Sequence, residues 1–251
     1  MTSFRPKLWT GVSAAILLGA TGLAGCGEAG EKVETPVAAV PAPAVGEGGE
    51  GGAEGGVAGE AGAQAAYLGV PAESRAALRL AHLRGFFQIA KAQPEGAEYA
   101  AALAGQGMLE VYDVAADAFK STGVDEAKLR KAVETGAPAD LDAAIAAIDA
   151  AIAKTGGDAN AIAKGLVSIS SGLYQNVLHE GAVDPIEYQH SLGAALSARD
   201  TLAKSKDPKA AAAKAEIDKF VALWPGPIAP EKPAPAAQVA AQASRVQLAL
   251  G

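Results

Sequence analysis

Leu141, Ile145, Ile148 and Ile152 recur at intervals of four, three and four residues, the spacing that aligns side chains along one face of an α-helix. The same period governs most of the chain after Tyr67. Between Pro71 and Ala92, Leu78, Phe86 and Ile89 fall on one face, with Leu80, Leu83, Phe87 and Ala90 beside it. Met108, Val111, Tyr112, Ala115 and Phe119 form another stripe, and Ile162, Leu166, Ile169, Leu173 and Val177 a third. No stretch sustains the period-2 alternation of a half-buried strand. The expected fold is all-α, a single helical bundle over residues 66–224.

Local signals divide that bundle. Pro94 is placed to open a second helix through Tyr99 and Leu103, since a first-turn proline loses no hydrogen bond. Asp125 starts a short helix that closes near Gly136, and Gly156-Gly157 ends the Leu141–Ile152 helix. Asp158 caps the next helix, expected to run to Gly181. Asp184-Pro185-Ile186-Glu187 and Asp207-Pro208 open two more, the last reaching Leu223. Residues 225–251 read as a Pro/Ala-rich tail, with a short helix over Gln238–Leu250 packing on the bundle. Half of the residues are apolar, but alanine dominates and aromatics are only 5%. Such a core is thin per residue, so stability is expected to be moderate.

The N-terminus carries a different message. Arg5 and Lys7 precede an apolar run from Leu8 to Ala20, shorter than the roughly 20 residues a spanning helix needs. Leu23-Ala24-Gly25-Cys26 follows, holding the single cysteine of the chain. This order matches a bacterial lipoprotein signal: residues 1–25 as signal peptide, and Cys26 as the lipidated mature N-terminus. Several acyl chains, at ~0.8 kcal/mol per buried CH2, make that anchor close to permanent. Gly27, standing where an inner-membrane retention signal would place Asp, leans the address towards the outer membrane, with the protein facing the periplasm. Residues 26–65, almost wholly Gly, Ala, Glu, Pro and Val, read as a disordered tether with an r.m.s. reach of about 35 Å.

Charge and cysteine content exclude several classes. Removal of residues 1–25 takes the formal charge from −7 to −9. An acidic chain without a basic stripe is a poor ligand for nucleic acid. With Cys26 acylated, no thiol remains for a disulfide, a thiolate metal site or a nucleophile. HExxH, P-loop, dinucleotide fingerprint and serine-elbow motifs are all missing from the sequence, so no enzyme is expected.

Candidate chemistry is sparse. His82 lies one turn from Leu78 and Phe86 and therefore points inward, either as a metal ligand or proton handle or simply bonded to a backbone carbonyl. Arg79 shares the apolar half of that helix and needs an acidic partner or a path to water. Glu98 and Glu187 are acids beside apolar neighbours, although Glu187 also sits at the third helical position after Asp184, the capping-box arrangement. Glu110, Asp113 and Asp117 share a face opposite the Met108–Phe119 stripe and read as solvated surface.

The stretch Gly181 to Gln189, following the apolar helix Leu166–Leu178, resembles a short pattern in the periplasmic helical domain of bacterial iron permeases. Ala81-His82-Leu83, Gln93-Pro94 with Glu98-Tyr99, Glu187-Tyr188-Gln189 and Leu223-Trp224-Pro225 are similar to motifs of related uncharacterised bacterial proteins. The resemblance implies a periplasmic helical module linked to iron, with His82, Glu98 and Glu187 as ligands. This chain departs from it at Gln93, where the pattern has His. Two expectations follow: a lipid-anchored module that binds a metal such as iron or a small ligand, or a non-catalytic envelope protein that meets a protein partner through its surface.

Overall fold

The computed structural model describes residues 63–179 and 181–251, and over these the protein is an all-α bundle. A helical turn over residues 63–68 (α1) leads through a 3-10 turn, Ala72–Ser74, into α2 (Arg75–Lys91) and α3 (Ala97–Gly107). A π-turn, Met108–Tyr112, and a second 3-10 turn precede α4 (Ala116–Ser121) and α5 (Glu126–Thr135). Then come α6 (Pro138–Thr155), α7 (Ala159–Tyr174), α8 (Pro185–Lys204), α9 (Lys209–Val221) and α10 (Ala236–Leu250). The only strands among the described residues are Leu178–His179 (β1) and Ala182–Val183 (β2), an antiparallel pair between α7 and α8. Among the described residues no helix is long and apolar enough to cross a membrane. The segment expected to be a signal peptide, Cys26 and the expected tether as far as residue 62 lie outside the described residues.

Two helices occupy the centre. Every residue from Glu187 to Ala195 in α8 is buried, and α2 is buried along most of its length. Helices α7, α2 and α9 surround α8, while α6, α3 and α8 surround α2. A helix enclosed on several sides keeps no polar face, so its polar residues need partners within the protein. Glycine and alanine make this crowding feasible. A Cβ placed on Gly85 would stand 2.5 Å from the Gly193 carbonyl oxygen, and one on Gly193 2.7 Å from that of Gly85. The two backbones therefore touch, and Ser197 Oγ seals the crossing by donating to the Ala81 carbonyl at 2.5 Å.

Capping follows the sequence signals closely. Asp125, Asp158 and Asp184 each accept first-turn amide hydrogen bonds on their side chains. Gly136 ends α5 at φ 57°, and a Cβ there would meet the Ala97 carbonyl.

Several boundaries differ from expectation, each for a local reason. Helix α3 begins at Ala97 rather than Pro94, because Gly96 at φ 102° turns the chain between them. Helix α7 stops at Tyr174; Val177 is instead buried in the following turn, where its carbonyl accepts from the Asp184 amide at 2.8 Å. On α6 the buried positions are Leu141, Ala144, Ala147, Ile148 and Ala151, with Ile145 and Ile152 displaced to the rim. Alanines on that face let α6 lie close to α2. Residues 63–65, assigned to the tether by composition, are already helical, and Tyr67 and Val70 beyond them are buried. The C-terminal segment is an integral part of the bundle, since α10 packs on α9 and α7 with Val239, Val246 and Leu250 buried.

Candidate binding site

His82, 4% exposed, does not reach a backbone carbonyl: its Nδ1 pairs with the Tyr67 hydroxyl at 2.6 Å, and its buried Nε2 has no partner. Desolvation lowers its pKa to about 3, with the charges of His190 and Arg79 acting in the same direction, so the ring is neutral. Arg79 solves its own problem without an acid, stacking its guanidinium over the Tyr67 ring at 4.1 Å. The Phe86 ring packs against both His82 and His190, at centroid distances of 5.5 and 4.5 Å. His190 in turn meets Gln106 Oε1 at 3.0 Å and Glu110 Oε2 at 3.6 Å, and desolvation lowers its pKa to about 4.

Glu187 is only half of a capping box. Asp184 Oδ1 accepts from the amides of Ile186 and Glu187, but the Asp184 amide is already committed to Val177. The Glu187 carboxyl is therefore not drawn back to the cap. The residue is 9% exposed, its Oε2 has no partner, and burial followed by the charges of Asp184 and Glu110 raises its pKa to about 7. Glu98 lies on the exposed first turn of α3. Among the described residues no group of three or more His, Cys, Asp or Glu could hold a metal ion, so His82, Glu98 and Glu187 are not assembled as a ligand set.

The segments around those residues nonetheless converge. Tyr99 donates to Gln189 Oε1 at 2.9 Å, and Gln189 Nε2 donates to the Pro227 carbonyl at 3.3 Å. Tyr188 donates to the Gly226 carbonyl at 3.0 Å, while Trp224 packs edge-on against Tyr174 and Phe220. Glu98-Tyr99, Glu187-Tyr188-Gln189 and Leu223-Trp224-Pro225 thus belong to one structural junction, in which Tyr and Gln join three chain segments. This role needs no ligand.

A second cluster has a cavity beside it. Arg84 on α2, with its side chain 12% exposed, donates Nε to Asp149 Oδ1 on α6 and Nη1 to Asp200 Oδ2 on α8, both at 2.9 Å. Gln88 Nε2 also donates to Asp200, at 2.7 Å, and Lys204 Nζ to Asp149 Oδ1, at 3.2 Å. Arg84, Asp149, Asp200 and Lys204 line a cleft of about 170 Å3 together with Ile152, Ala153 and Ile162. Apolar lining with a few convergent polar groups is the usual character of a small-molecule site. Sequence reasoning singled out Arg79 and passed over Arg84. The missed signal was spacing: Arg84 lies four residues after Leu80 and three before Phe87, both core positions, so its guanidinium had to find buried partners.

No protein-family model, curated protein or solved structure matches this chain.

Proposed function

We propose that this chain is a lipid-anchored envelope protein, held at Cys26, whose helical bundle is a non-catalytic binding module for a small ligand. The observation that carries the binding role is the Arg84 cleft, where charged groups from α2, α6 and α8 line a space beside an apolar wall. The iron form of the proposal has weaker support, because His82, Glu98 and Glu187 are not grouped as ligands; what favours it is the unpartnered, buried Glu187 Oε2. An NMR screen of the full-length protein against pools of small polar metabolites tests the module. Perturbations centred on Arg84, Ile152 and Lys204 are expected, and a screen that leaves those residues unmoved sinks the reading. For iron, titration of Fe(II) or Fe(III) with Glu187→Gln as control is expected to distinguish a site from background.

A surface role is the second reading, favoured by one specific feature. Leu178 and Ile186 are both exposed beside the α7–α8 turn, and Ile228 is exposed next to Pro227, which Gln189 on α8 holds. Photo-crosslinking from Ile186 in intact envelopes would detect an envelope protein partner there, and an absence of adducts would remove this reading.

A further inference from the structure

The charge on the cleft lining is of both signs. Arg84 and Lys204 meet Asp149 and Asp200 there. A simple anion entering here would approach two carboxylates, and a simple cation would approach two bases. A molecule that carries both charges a few ångströms apart finds a partner for each. Unused capacity exists for both. Asp149 accepts both of its hydrogen bonds on Oδ1, leaving Oδ2 without a partner among the described residues. Lys204 has three ammonium hydrogens and one described protein acceptor, and its side chain is 65% exposed.

Size and the apolar wall narrow the ligand further. A cleft of about 170 Å3 holds roughly five or six water volumes, which suits a ligand of about six to eight non-hydrogen atoms. Ile152, Ala153 and Ile162 offer it an aliphatic surface and no hydrogen-bonding side chain. Ile152 is displaced from the α6 core face to this rim, where it is partly buried.

We infer that the cleft binds a free α-amino acid with a small aliphatic side chain. Lys204 and Arg84 receive its carboxylate, Asp149 and Asp200 its ammonium, and Ile152 and Ile162 its side chain. This rests on the reading of the bundle as a small-ligand module and names the ligand class.

Calorimetry on the full-length protein tests it with three probes: L-valine, isobutyrate and isobutylamine. L-Valine is expected to give saturable heat, with each half-molecule about tenfold weaker or more, the loss of one charged hydrogen-bonded contact. Lys204→Gln and Ala153→Phe both change exposed positions on the lining. Each should weaken L-valine about tenfold while leaving the thermal midpoint unchanged. Isobutyrate or isobutylamine binding as well as L-valine overturns the zwitterion assignment but leaves the small-ligand module standing. No heat from L-valine, or L-valine heat indifferent to both variants, overturns the inference. The metabolite screen then decides separately whether the module reading falls with it.

Discussion

At the scale of single residues, the crossing of α2 and α8 depends on two missing side chains. Gly85 and Gly193 let α2 and α8 touch through their backbones, and neither position has room for a methyl group. Gly85→Ala should destabilise the fold by about 3 kcal/mol, because helix backbones rather than flexible side chains must move. Gly172, on α7 with open space around it, is the control: Gly172→Ala should gain about 0.5 kcal/mol from helix propensity. Urea unfolding of the two variants checks both. Glu187 gives a second prediction at this scale. Its pKa in the folded protein, about 7, lies above the unfolded value of 4.5. Its contribution is therefore full at low pH and is lost as pH rises through about 7. His82 and His190 work in the opposite sense: their folded pKa values, about 3 and about 4, lie below 6.5, so their contribution is present above pH 6.5 and lost on acidification. Glu187→Gln should gain stability relative to the parent between pH 4.5 and 7 and show no further change above that. A difference independent of pH, read from denaturant midpoints, would refute the assignment.

At the scale of elements, the caps were legible because they depend on neighbours in sequence. Asp158 and Asp184 bind the amides two and three residues ahead of them, and no tertiary partner is required. Asp158→Ala and Asp184→Ala should each cost about 1 kcal/mol, read from denaturant midpoints. The inward faces were harder to read. For α6 the period was correct and Leu141 and Ile148 lie on the buried face, but that face is completed by Ala144, Ala147 and Ala151 rather than by Ile145 and Ile152. Close helix packing favours small side chains, which a hydrophobicity pattern undervalues. The C-terminal helix expected over Gln238–Leu250 does pack on the bundle, over Ala236–Leu250, although the segment around it reads as a Pro/Ala-rich tail. Helix α10 buries Val239, Val246 and Leu250, and its Gln242 donates to the Glu216 carbonyl on α9 at 2.9 Å. Deleting residues 236–251 should abolish cooperative thermal unfolding followed by circular dichroism, because it strips one face from both α7 and α9.

At the scale of the whole molecule, the proposed N-terminal signal and the bundle answer different questions. The proposed anchor rests on Cys26, and Cys26→Ser should move the protein from the membrane fraction to the soluble one on fractionation. Retention in the membrane would refute it. The sequence alone determined the all-α class and most helix starts. Each follows from periodicity, capping or composition, all of which act over a few residues. Tertiary structure decided that α2 and α8 are enclosed, that the Tyr99, Gln189 and Trp224 segments form one junction, and that Arg84 joins Asp149 and Asp200 across 65 and 116 residues of chain. Contacts between such distant positions depend on how helices rotate about their axes when they pack. That rotation is set by the fit of many small side chains at once, and no local pattern records it.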